Sequence, residues 1–91
     1  MDRDEAKSIL VRALSEFASH PYDQLVASMK HTNAKTVIGE SGANYQIEIS
    51  VTWDSEPEKD LLIMGSIDDG GWRASLPLTE SLIMKPDGTL I

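Results

Sequence analysis

YQIEISVTW, residues 45–53, alternates without a break. Tyr45, Ile47, Ile49, Val51 and Trp53 fall on one side of an extended chain, and Gln46, Glu48, Ser50 and Thr52 on the other. Strict period two over this length predicts a β-strand with one buried and one solvated face. The polar run DSEPEKD, 54–60, follows as a loop, and LLIMGSI, 61–67, reads as the next strand. Opposing Trp53 to Leu61 places Val51 against Ile63, Ile49 against Gly65 and Ile47 against Ile67. Slipping by one residue would turn the apolar set outward, so this register is strongly specified. Gly65 leaves a hollow on the core face, which a helix side chain such as Leu14 or Phe17 would fill.

The far edge of that middle strand is read from GSIDDGGWRASLPL, 65–78. Asp-Gly is a favoured two-residue hairpin turn. With Asp69-Gly70 as the loop, Asp68 opposes Gly71, Ile67 opposes Trp72, Gly65 opposes Ala74 and Ile63 opposes Leu76. The ladder would end before Pro77, which has no N–H to donate. On the polar face, Glu48 and Arg73 then flank Ser66 and are expected to pair as ions. VIG, 37–39, is a short strand, ESGAN, 40–44, and KPDGT, 85–89, are turns, and ESLIM, 80–84, is too short to assign.

Upstream, the period changes to that of a helix. Over residues 4–18, Ala6, Leu10, Ala13, Leu14 and Phe17 share one face. Asp2 and Glu5 have the spacing of a capping box. Pro21 disfavours helical geometry at His20 and can open a second helix, whose buried side is Leu25, Val26 and Met29. The sequence therefore predicts a single α+β domain over residues 1–91. Its helical part, about 4–30, packs on one face of a meander of about four antiparallel strands spanning 36–91. The expected core is Leu10, Leu14, Phe17, Ile47, Ile49, Val51, Trp53, Ile63, Ile67, Trp72 and Leu76.

The chain of 91 residues carries a formal net charge of -7 and has no cysteine. Residues 46–91 hold 9 acidic and 3 basic side chains, against 6 and 5 in residues 1–45. That balance argues against binding nucleic acid, which needs cations for its phosphates, and against anionic membrane surfaces. A basic protein partner fits it. With no cysteine there is no disulfide and no thiolate metal site. The charged start MDRDEAKSIL lacks the apolar core of a secretion signal, and no apolar run reaches the roughly 18 residues of a membrane helix. A cytoplasmic location is the expectation.

The segment GSIDDGGWRA, followed by PL and by SLIMKPDGT, resembles a family of small uncharacterised bacterial proteins with the pattern W-D, G-S-I-D-D-G-G-W-R, P-L and P-D-G. Trp53-Asp54 supplies the W-D, and Leu82 stands where the family pattern has phenylalanine. The resemblance spans about residues 45–89. It implies a bacterial origin and a compact α+β domain, and it brings no catalytic residues.

A search for chemistry yields little. His20 and His31 lie at a helix break and in a polar connection, without carboxylates at metal-ligand spacing. Asp68 and Asp69 lack the ordered oxygen ligands of a calcium loop and have no phosphate-binding loop beside them. Asp54, Glu56, Glu58 and Asp60 sit at the opposite end of a meander from Asp68 and Asp69, so these groups do not converge as an acid/base pair must. The expectation is that no catalytic residue, metal or cofactor is present. Leu62 and Met64 are the exception on the otherwise polar face. Either the C-terminal segment 81–91 folds back over them, or they form the apolar centre of an interaction surface rimmed by Glu48 and Arg73. The preferred function is a non-catalytic accessory protein that binds another protein, for example an immunity-type inhibitor of a basic toxin. The alternatives are a small metal-dependent hydrolase using Asp68, Asp69 and Arg73, or a homodimeric domain binding a small ligand. The chain is thus expected as a monomer or a homodimer.

Overall fold

The computed structural model describes residues 2–70 and 77–91. Helix α1 runs over Arg3–Phe17 and α2 over Tyr22–Ala27, the latter continued by a single 3-10 turn at Ser28–Lys30. Four strands follow: β1 Asn33–Ile38, β2 Asn44–Trp53, β3 Leu61–Asp68 and β4 Leu78–Met84. They form one antiparallel sheet in the order β1-β2-β3-β4. Both helices pack on the same face, giving the α+β architecture expected from the sequence.

The β2–β3 register matches the reading made from alternation: Trp53 opposes Leu61, Val51 opposes Ile63, Ile49 opposes Gly65 and Ile47 opposes Ile67. Tyr45, Ile47, Ile49, Val51, Leu61, Ile63 and Ile67 are buried beneath Ala6, Leu10, Ala13, Leu14 and Leu25 of the helices. Gly65 is where the layers come closest. A Cβ built there would lie 2.9 Å from Leu10 Cδ1 and 3.0 Å from Leu14 Cδ2, so these two leucines fill the hollow. Phe17 and Trp53 are only half-buried at the margin of the core.

Two strand assignments are corrected. The far edge of β3 is taken by β4, with Ile67 opposite Leu78, Gly65 opposite Glu80, Ile63 opposite Leu82 and Leu61 opposite Met84. The places opposite Ile67, Gly65 and Ile63 that were read for Trp72, Ala74 and Leu76 are thus held by Leu78, Glu80 and Leu82. Asp68 Oδ1 does accept the Gly70 N–H, at 2.8 Å, which turns the chain locally. Residues 71–76, with Trp72, Arg73 and Leu76, lie outside the described residues. Second, β1 begins at Asn33, inside the stretch read as a connection. Its helix-facing residues Asn33, Lys35 and Val37 are mostly polar, which hides the strand period. It lies at the sheet edge, where charged side chains such as Lys35 are a common feature.

The C-terminal segment joins the sheet instead of folding over it. After β4, Asp87 accepts from the N–H (2.9 Å) and hydroxyl (2.6 Å) of Thr89 and tightens the KPDGT turn. The chain then returns along the outer edge of β4, with Lys85 N–H donating to Thr89 O at 2.8 Å and Ile91 N–H to Ile83 O at 2.9 Å.

Candidate functional site

Two surfaces remain once the core is accounted for. The first is the sheet face away from the helices. Rows run across it from the strand registers. Thr52, Leu62 and Ile83 form one row, with Ile91 beside Ile83, and Ser50, Met64 and Ser81 form the next. Leu62 is half-buried between its neighbours, while Met64 is 44% exposed. Among the described residues no element crosses over this cluster. The C-terminal residues enlarge it with Ile83 and Ile91 where a cover had been one of the two expectations.

Glu48 lies on the same face, one row further along, opposite Ser66. The residue on the other side of Ser66 is Thr79. The register position beside Ser66 that was read for Arg73 is held by Thr79 of β4. Arg73 itself is outside the described residues. Of the predicted interaction residues, the structure brings Leu62, Met64 and Glu48 together on one face.

The second surface was not found from sequence. Leu10 and Leu14 seat α1 over β3, and Lys7 Nζ reaches Glu80 Oε1 on β4 at 3.8 Å. The helix is thus offset toward the β4 side, leaving a groove between α1 and β1. Its volume is about 500 Å³, with Ile9, Ala13, Val37 and Ile47 as apolar walls and Glu5, Arg12, Glu16, Lys35 and Glu40 around them. It continues into a second hollow of about 320 Å³ toward Phe17, His20 and Asn33. The signal that could have located it is the polar, helix-facing side of β1, where a packed strand would carry apolar residues.

The upper end of the groove is closed by a polar latch. Asp2 accepts the Glu5 N–H at 3.0 Å, which is half of the expected capping box. The Glu5 carboxylate does not complete it. It accepts instead from Tyr45 Oη at 2.6 Å, Ser41 Oγ at 2.7 Å and the Ser41 N–H at 3.0 Å, tying the first turn of α1 to the β1–β2 hairpin. Gly39 makes this possible, since a Cβ there would lie 2.7 Å from Glu5 Oε1 and 2.9 Å from Tyr45 Cε2. The hydrogen bonds from Tyr45 and Ser41 hold the Glu5 carboxyl below its ordinary 4.5. The same bond to Glu5, with burial adding, pushes the Tyr45 phenol up to about 12.

These shifts set a pH dependence. A carboxyl lowered on folding stabilises the fold above its unfolded value, and that contribution is lost as pH falls from 4.5 through the folded value. For the raised phenol the contribution is complete below 10.0 and is lost as pH rises toward about 12. Thermal melting across both arms should show Glu5→Gln with a flatter acid limb than the parent, and Tyr45→Phe with a flatter alkaline limb. Limbs unchanged by either substitution would show that the latch does not couple to folding.

Chemistry elsewhere is sparse. Asp68 is engaged with Gly70, as above. His20 Nδ1 lies 2.9 Å from the Phe17 carbonyl, its ring tilted against Phe17 with centroids 6.1 Å apart. Among the described residues there is no cluster of three or more His, Asp or Glu side chains able to hold a metal ion, and no helix long and apolar enough to cross a membrane. No protein-family model, curated protein or solved structure matches the chain.

Proposed function

We propose that this chain is a non-catalytic accessory module that binds another protein through the open face of its sheet. The observation that carries the reading is the apolar cluster of Leu62, Met64, Ile83 and Ile91 on the sheet face away from the helices, over which no element crosses among the described residues. Contiguous apolar surface rimmed by polar side chains is the usual composition of an interface centre. The net charge of -7 favours a basic partner, by speeding encounter more than by adding affinity. A chain without cysteine suits a reducing cytoplasmic setting.

Met64→Glu tests this directly. Met64 is exposed, so the substitution should leave the melting midpoint within a few degrees of the parent while abolishing association. Sedimentation of the parent and the variant, alone and with a co-purified, identified partner, reads the outcome. Loss of self-association in the variant would assign the face to a homodimer. An unchanged complex would remove this face from the function.

A further inference from the structure

The two edges of the sheet differ. Gly39 N–H donates to Ala43 O at 2.9 Å, which makes 39 and 43 a hydrogen-bonded pair. Such pairs recur at every second position of an antiparallel ladder. Val37, Lys35 and Asn33 therefore spend their backbone groups on β2, while Ala34, Thr36 and Ile38 direct their N–H and C=O outward. All three are exposed, Ile38 at 71%. The matching edge of β4 is partly closed by the return of residues 89–91. Among the described residues nothing pairs with the outer edge of β1.

We propose that this edge is a strand-addition site. An extended segment of another protein pairs with β1 and sets an acidic side chain opposite Lys35 and an apolar one opposite Val37, inside the α1–β1 groove. In an added strand, the residues opposite Lys35 and Val37 point to the helix side, because facing residues share a face. There they meet the walls formed by Ile9 and Ala13. A groove of about 500 Å³ is of the size that binding clefts have. Main-chain pairing supplies affinity in this mode, and the side-chain compartments supply selectivity.

The charge of the occupant follows from what is left unmatched. Glu5 is engaged by Tyr45 and Ser41. Arg12 and Glu16, both on α1, line the groove with one positive and one negative charge, which cancel in sum. Lys35 is the cation remaining in the middle of the edge; the ion pair among described side chains is Lys7–Glu80. Glu40 lies beyond the strand end and favours a basic residue there. Asn33 Nδ2, buried and without an acceptor, adds an unused donor at the opposite end. A second copy of this chain is a poor occupant. The two most complete antiparallel self-pairings place Lys35 opposite or diagonal to its own copy, and like charges so placed are destabilising.

The probe is a capped decapeptide of alternating valine and threonine with a central aspartate, titrated into the labelled protein while backbone amides are followed. Saturable shifts at Ala34, Thr36 and Ile38 are expected. A central lysine should weaken binding about tenfold, the scale of exchanging an attractive exposed pair for a repulsive one. Lys35→Glu should invert that order. Thr36→Pro removes an outward N–H without touching the β1–β2 ladder, so it should fold and fail to bind. Met64→Glu should bind as the parent does, which separates this site from the open face. The proposal is overturned if the aspartate peptide does not saturate by millimolar concentration, or if its shifts map to Leu62, Met64 and Ile83. Indifference of both peptides to Lys35→Glu overturns it too, and that variant decides the matter should Thr36→Pro not fold.

Discussion

Leu10→Ala lowers the free energy of unfolding by about 2–5 kcal/mol. Leu10 is fully buried and contacts the sheet at Gly65, the one place where the backbone of β3 has no side chain to meet it. Removing the leucine body there opens space on both sides at once: nothing from the strand can rise into it, and Leu14 is already in place beside it. A cavity that cannot collapse gives the upper part of the range. Against a total stability of about 5–15 kcal/mol for a single domain, the loss is a large fraction. Urea denaturation should show a lower midpoint at an unchanged slope, since the area exposed on unfolding barely alters. Val11→Ala is the control. Val11 is the next residue on α1 but 45% exposed, and its truncation should fall within about 0.5 kcal/mol of the parent. Equal costs at the two positions would mean that α1 does not seat on β3 as described.

How far the fold could be read from sequence follows from where apolar residues alternate on both partners of a strand pair. Residues 45–53 and 61–67 do so, and their register was fully determined. Residues 78–84 do not. Glu80 interrupts the apolar set of Leu78, Leu82 and Met84, so the segment does not look like a core strand. At the sheet edge the carboxylate can lean out toward Lys7, 3.8 Å away, and remain half-exposed. WRASL presented a cleaner alternation beside a favourable turn, so local preference did not single out residues 78–84 as the partner of β3. The Glu5 latch was hidden for another reason. Asp2 and Glu5 have capping-box spacing, but Ser41 and Tyr45 compete for the carboxylate from 36 and 40 residues away. The groove was invisible because it depends on the lateral offset of α1, which no single residue encodes. By contrast, Leu62 and Met64 stood out from alternation alone, and their place on the open face is as read.

Gly65→Val should destabilise the protein by about 1–3 kcal/mol through overpacking. Propensity works the other way, since valine is a better strand former than glycine, on a scale that spans about 1 kcal/mol. Geometry decides the sign. Even the first carbon of the new side chain would lie 2.9 Å from Leu10 Cδ1, 3.0 Å from Leu14 Cδ2 and 3.2 Å from Leu14 Cγ. Leucine tips can move in a loose site, but both of these are buried against the rest of the core, so relief requires α1 to lift from the sheet. Gly65→Ala should cost less than valine, because it adds one carbon in place of three. The sharper test combines the two sites. In Leu10→Ala/Gly65→Val the valine methyls enter the space that the leucine vacates, and the double variant should be more stable than the sum of the single losses by about 0.5–3 kcal/mol, the range found for residues in contact. Denaturation of the four proteins closes the cycle. Additivity within about 0.5 kcal/mol would show that Leu10 and residue 65 do not share one space, and would remove the close helix–sheet contact that sets the offset of α1 and, with it, the groove beside β1.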